Sequence, residues 1–99
     1  MNIQNLTHEQ LEKATSLLKA IAHPLRLSII KTINEKEKLT VTELQNILKI
    51  EQPVLSHHLN ILKYKGILIS KRIGKNVFYQ VKLENIVNIL ECISKCVCE

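Results

Sequence analysis

Leucines at 55, 59 and 62 recur at the period of an α-helix inside a stretch that carries a proline at 53 and a glycine at 66. Proline is tolerated in the first turn of a helix and glycine is a natural C-cap, so this segment is fixed at both ends as a helix running from near Gln52 to Gly66. With Leu55 set at the centre of the buried face, an advance of about 100° per residue brings Leu59 and Leu62 within roughly 40° of it. His58 falls about 60° away, at the edge of the core, and His57 about 160° away, fully outward with Pro53, Asn60 and Tyr64, with Ser56 on the flank. The adjacent histidines therefore have different surroundings. His58 is expected to be partly buried and satisfied by a backbone carbonyl, whereas His57 belongs to a surface. Helical metal ligands need a spacing of three or four, which neighbours lack. A catalytic histidine needs an acid or nucleophile nearby, and the chain has no Asp.

What lies on either side gives this helix its context. "LTVTELQNILKI" reads as a short β-like piece followed by a helix, with Thr42 placed to cap it and Gln45 at the reciprocal capping position. A break at Lys49 to Glu51 then separates two short helices by about three residues, the helix-turn-helix pattern. Downstream, "ILISKRI" and "VFYQV" are β-rich runs around "GKN", a hairpin, and a last helix spans roughly Leu83 to Cys96. Upstream, Thr7 with Gln10 signals the start of a first helix carrying Leu11, Ala14, Leu18, Ile21 and Ala22 at helical spacing. His23-Pro24 breaks it, because proline disfavours helix in the preceding residue yet suits the first turn of the next. A second helix runs to about Asn34 with Leu25, Ile29, Ile30 and Ile33 buried, and the polar "NEKEK" is a loop. The expected fold is mainly α with a β-hairpin wing: five helices in a winged helix-turn-helix, one domain over residues 1–99. With 3% aromatic residues and no Trp, its core must be built from Leu, Ile and Val. A helical chain this short often completes its core by dimerising, so a homodimer is expected.

Charge supplies the function. From Gln52 to Leu83 the chain carries Lys63, Lys65, Lys71, Arg72, Lys75 and Lys82 and no acidic residue, while the formal net charge of the whole is +5. A cationic block on a helix-turn-helix and its hairpin is the footprint expected for a polyanion. Gln52, Pro53, Ser56, His57, Asn60 and Lys63 are the candidate contacts of the recognition helix with double-stranded DNA; Lys71, Arg72, Lys75 and Asn76 are those of the wing. A dimer would bring two such helices to an inverted repeat.

"AIAHPLRLSIIKTI", "LTVTELQNILKIEQPVLSHHLNILKYKGIL" and "SKRIGKNVFYQV" together resemble the ArsR-type family of small bacterial winged-helix repressors over about residues 14–82. The resemblance implies a homodimeric repressor that leaves its operator when an inducer binds. It also shows which inducer sites are missing. Arsenic and cadmium sensors of the family often place Cys-Val-Cys at the start of the third helix, where this chain has Thr40-Val41-Thr42. Zinc sensors carry Asp and His on the last helix, and "LENIVNILECISKC" has neither. Redox and persulfide sensors pair a cysteine of the second helix with one of the last, and the second helix here has none.

What remains is "ECISKCVCE", with all three cysteines. The stripe Ile86, Ile89, Leu90, Ile93 and Val97 on this helix is the expected dimer seam beside helix one. Cys92 and Cys96 are i, i+4 at the margin of that stripe, and Cys98 follows on a terminal turn. One reading is packing, since free cysteine behaves as a small hydrophobe. The other is sensing: three thiolates suit As(III) or another thiophilic ion, and two suffice for a disulfide or polysulfide bridge. No cofactor is required for DNA binding. A thiol-rich metal-buffering or protein-interaction module without sequence-specific DNA binding is the alternative from another class. An enzyme is disfavoured, because the chain has no Gly-rich phosphate loop, paired carboxylates or nucleophile elbow. The lack of a signal-peptide pattern or a membrane-length apolar run points to the cytoplasm, where an odd number of cysteines is not a disulfide framework.

Overall fold

The computed structural model describes residues 3–82 and 84–98. After a short 3₁₀ turn at Ile3–Asn5, the elements are α1 (His8–Ile21), α2 (Pro24–Lys36), β1 (Leu39–Thr40), α3 (Val41–Leu48), α4 (Gln52–Tyr64), β2 (Leu68–Ile73), β3 (Asn76–Val81) and α5 (Glu84–Val97). The strands form one antiparallel sheet in the order β1-β3-β2. In the hairpin Ile73 pairs with Asn76 and Leu68 with Val81, and β1 adds Leu39 opposite Tyr79 and Thr40 opposite Phe78. Five helices and a winged hairpin are thus present as expected, with α3 and α4 as the helix-turn-helix.

Local chemistry explains most of the boundaries. At α1 the Thr7 hydroxyl accepts from the Gln10 N–H at 3.1 Å and the Gln10 side chain accepts from the Thr7 N–H at 2.9 Å, a closed capping box. Pro24 occupies the first turn of α2, and the His23 imidazole caps it by accepting from the Leu25 N–H at 3.1 Å. At the end of α4, Gly66 takes φ +76°, and the N–H groups of Gly66 and Ile67 return to the carbonyls of Lys63 and Leu62 at 3.0 Å. That pair of bonds is a Schellman closure, which needs a residue free to adopt the left-handed region. It turns the chain directly into β2.

Three boundaries differ from the sequence reading. The cap of α3 is Thr40, not Thr42: its hydroxyl accepts from the Glu43 N–H at 3.1 Å and the Glu43 carboxylate accepts from the Thr40 N–H at 2.9 Å. A charged acceptor closes this box, which outcompetes the Thr42 and Gln45 pair one half-turn later. Second, α2 runs on through "NEK" to Lys36, with Lys31 and Glu35 paired at 3.4 Å across its last turn. Third, the last helix continues to Val97; its expected start at Leu83 lies outside the described residues.

Ile29, Ile30, Ile33, Leu44, Leu55, Leu59, Leu62 and Ile67 are fully buried, joined by Ala20, Ile21, Leu39, Leu68 and Ile86 in one core. Aliphatic side chains from α2, α3 and α4 meet there, and burying each contributes about 1.5–3 kcal/mol. On α1 and α5 the pattern is different. Leu11 and Leu18 are 46% and 52% exposed, and Ile89, Ile93 and Val97 are 40%, 48% and 74% exposed. Both outer helices keep an apolar face that the protomer does not cover.

Candidate nucleic-acid interface

The facing of α4 follows from its buried side. Leu55, Leu59 and Leu62 point into the core, so Gln52, Pro53, His57, Asn60 and Lys63 stand exposed on the other side, with Ser56 half-buried on the flank. All six proposed contacts of this helix therefore reach its outward or flanking surface. The N-terminal end has Glu51 as N-cap without a side-chain hydrogen bond, which leaves the first-turn N–H groups of α4 without that cap.

Lys71, Arg72, Lys75 and Asn76 are all exposed around the hairpin turn, where Gly74 at φ +62° permits the reversal. The Arg72 Nε donates to the Gly74 carbonyl at 3.5 Å, folding the guanidinium back over the turn. The ten candidate contacts thus lie in two exposed or flanking patches, the outer face of α4 and the tip of the wing, which the Lys65–Ile67 link and β2 connect along the chain. Exposed Tyr64, at 86%, ends the outer face of α4 and was missing from the set of contacts. Its outward direction was visible in the helical period.

His58 is 8% exposed, as the edge-of-core position implied, but its partner is not a backbone carbonyl. Its Nδ1 accepts from the Arg26 Nε at 3.1 Å, while the Arg26 Nη1 donates to the Ala20 carbonyl at 3.1 Å. One guanidinium thereby links the end of α1, the start of α2 and the inner side of α4. The His58 ring also lies 4.7 Å from that of His23 and 5.4 Å from that of His57, centroid to centroid. Burial first, then the positive charge available at His23, Arg26 and His57, holds the His58 imidazole below the usual histidine range. A neutral ring with Nδ1 unprotonated is what the Arg26 bond requires. No signal in the sequence pairs Arg26 with His58, which are 32 residues apart.

Cys92, Cys96 and Cys98 are free and exposed. Cys96 sits one turn beyond Cys92, its Sγ 3.6 Å from the Cys92 carbonyl oxygen, and the Cys98 N–H still bonds the Ser94 carbonyl at 3.0 Å. Packing within the protomer is thus not what these thiols do. Among the described residues no three His, Cys, Asp or Glu side chains are gathered to hold a metal ion. Among them, too, no helix is long and apolar enough to cross a membrane.

These features agree with the chain's relatives. Residues 23–70, from the His23 cap to the middle of β2, match the family model described as bacterial regulatory protein, arsR family. The chain is 36% identical over 87 residues to an uncharacterized HTH-type transcriptional regulator, MJ1325, of Methanocaldococcus jannaschii, covering 88% of this chain and 98% of that protein. Its fold is similar to the crystal structure of the transcriptional repressor PagR of Bacillus anthracis, with a TM-score of 0.80 at 31% identity, over 88% of this chain and 99% of that one. HlyU from Vibrio cholerae superposes with a TM-score of 0.82 at 29% identity, over 94% of this chain and 100% of that one. On sequence and architecture together, the chain belongs to the ArsR family of bacterial regulatory proteins.

Proposed function

We propose that the chain is a homodimeric, DNA-binding transcriptional repressor that reads an inverted-repeat operator through α4 and is released by an inducer acting at its C-terminal cysteines. The observation that carries the DNA reading is the outer surface of α4 and the wing: polar and cationic side chains stand exposed on both, and no acidic residue occurs between Gln52 and Lys82. An α-helix fits the major groove of B-DNA, and a cationic hairpin beside it meets the phosphate backbone. In this reading Gln52, Pro53, Ser56, His57, Asn60 and Lys63 meet base edges and nearby phosphates, and Lys71, Arg72, Lys75 and Asn76 anchor the wing. The name of the Bacillus anthracis relative, a transcriptional repressor, supports the same direction of regulation.

The uncovered apolar faces of α1 and α5 support the dimer. Pairing them across a two-fold axis would bury Leu11 and Leu18 with Ile89, Ile93 and Val97 and present two recognition helices to one face of DNA. The cysteines lie beside that seam, which is why chemistry at them can alter the spacing of the recognition helices. Cys92 and Cys96 share a helix face one turn apart. The Cβ atoms of such a pair stand about 5–6 Å apart, beyond the roughly 3.5–4.5 Å of a direct disulfide. A disulfide, formed with an oxidant that takes up the two electrons, therefore needs that turn of α5 to unwind, whereas a bridge through the added sulfur of a polysulfide spans the gap with less distortion. A trigonal As(III) site would also need the last turn to open and bring Cys98 round. Both belong to one thiophilic class of inducer.

Selection of bound duplexes from a random pool tests the proposal. The expected product is an imperfect inverted repeat whose half-sites are separated by about one helical turn, roughly 34 Å, or a small multiple. A pool that remains random after selection at physiological salt overturns it.

A further inference from the structure

A cleft of about 370 Å³ opens between α1, α2 and α4, on a side of the molecule that none of the proposed base or wing contacts occupies. Lys19 of α1, Arg26 of α2 and Lys65 at the C-cap of α4 line it, with Thr15, Ser16 and Glu12 of α1. Neutral groups hold its two better-buried cations. Lys65 donates to the Ser16 hydroxyl at 2.7 Å, and Arg26 donates to the His58 ring and the Ala20 carbonyl. The single carboxylate of the cleft is turned to His8, 3.0 Å away and one helical turn toward the N-terminus. Among the described residues none of the three cations has a carboxylate within ion-pair distance, whereas Lys13 and Lys31 each do. Positive charges that converge from three helices and are held by neutral acceptors leave a positive potential that an anion would neutralise.

Position says which anion. Ile61 on α4 and Lys65 at its C-cap lie roughly 40° and 80° round the helix axis from His57, on the flank of the outer face that turns toward α1. A helix with its side chains is about 10–12 Å across and the major groove about 12 Å wide, so a helix seated in it has phosphate rows along its flanks. We propose that Lys19, Arg26 and Lys65 form a phosphate-binding cleft, filled by a backbone phosphate of bound DNA or by the phosphate group of a small molecule. The first source rests on the DNA-binding reading above; the second does not. The cleft joins the dimer-forming helix to the recognition helix, so its occupant favours the arrangement in which the two are clamped together.

The test uses the full chain with Lys19→Gln and Lys65→Gln combined. Lys19→Gln alone serves as a milder variant at an exposed side chain with no hydrogen bond in the described structure. Lys13→Gln with Lys95→Gln removes the same charge outside the cleft. Salt dependence of binding to a mixed-sequence duplex is measured first. For each DNA phosphate lost the slope of log K against log salt becomes shallower by about 0.9, so the affinity change between 50 and 200 mM salt shrinks about 3.5-fold. Thermal unfolding without DNA is measured second, in inorganic phosphate against chloride at equal ionic strength. A shallower slope in the cleft variants but not the control assigns the cleft to the DNA backbone. A saturable rise in the wild-type melting temperature with phosphate, absent in the cleft variants, assigns it to a free phosphate group. If cleft and control variants behave alike in both measurements, the proposal is overturned. Should the wild type bind no duplex at all, the regulator reading falls, and the unfolding experiment alone decides the cleft.

Discussion

Replacing Arg26 with Met keeps an unbranched stem and removes the guanidinium that ties α4 to the α1–α2 corner. Two hydrogen bonds are lost, the 3.1 Å bond to His58 Nδ1 and the 3.1 Å bond to the Ala20 carbonyl. The larger effect is at His58, only 8% exposed, whose ring nitrogen is left without a partner. An unsatisfied buried acceptor costs about 1–3 kcal/mol, and the lost charged-donor bond to the Ala20 carbonyl, part-buried at the edge of the cleft, adds about 1–2 kcal/mol. The sum, about 3 kcal/mol, is a large share of the roughly 5–15 kcal/mol that holds a domain of this size together. At an m-value of about 1.5 kcal/mol/M it lowers the urea midpoint by about 2 M. Urea titrations at one fixed protomer concentration measure this, because the proposed dimer would make stability concentration-dependent. His58→Leu removes the orphaned acceptor, so the double variant Arg26→Met with His58→Leu should be more stable than the two single losses added together, by at least about 1 kcal/mol. Additive losses, or a midpoint unchanged by Arg26→Met, would refute the clamp.

Three further expectations concern protonation, assembly and the thiols. Because the folded protein holds the His58 pKa below the ordinary histidine value of about 6.5, the unfolded chain takes up a proton that the folded one refuses. Stability should therefore fall as pH drops from about 7 through that value and level off below the folded pKa, and the melting temperature of His58→Gln should depend less on pH over the same range; equal pH profiles would contradict this. Ile93 is 48% exposed in the protomer, so in the proposed dimer Ile93→Ala should forfeit about 1 kcal/mol of interface burial per subunit, about 2 kcal/mol per symmetric dimer and roughly 30-fold in the dimer Kd. Sedimentation across a dilution series reads this directly, and a Kd within about 3-fold of wild type would place the seam elsewhere. Finally, As(III) or a polysulfide should weaken operator binding by about 5- to 150-fold in the wild type and leave the Cys92→Ser, Cys96→Ser, Cys98→Ser triple variant bound. If the triple variant is released as the wild type is, the inducer acts at another site.

Much of the reading surface was legible because one helix carries it. Leu55, Leu59 and Leu62 define the facing of α4 through a single periodicity, and with it the opposite fates of His57 and His58. Gly74 and the two β-rich runs likewise mark the wing. The cap of α3 was harder: Thr40 and Thr42 each stand three residues before a side chain able to close a box, and the choice turns on the better acceptor, the Glu43 carboxylate. The short β-like piece read at the start of "LTVTELQNILKI" is present as the two-residue strand β1, while its partner, β3, lies too far along the chain for the sequence pattern to name. The Arg26–His58 bond was invisible for a different reason. It joins separate helices through a side-chain pair, and neither periodicity nor composition encodes such a meeting.

The most direct measurement of the central claim is the ratio of affinities for the selected operator and a scrambled duplex of equal length, at physiological salt, in wild type and in His57→Ala with Asn60→Ala. Both side chains are exposed on the outer face of α4, away from the buried leucines. Specific sites are typically bound about 10³-fold or more tightly than non-specific DNA, and a lost base contact costs about 1–3 kcal/mol at the specific site alone. The expected result is a wild-type ratio of at least about 10³ that collapses in the variant while scrambled binding is unchanged. A wild-type ratio near unity, or a variant that loses both duplexes equally, would contradict the assignment of α4 as the helix that reads the operator.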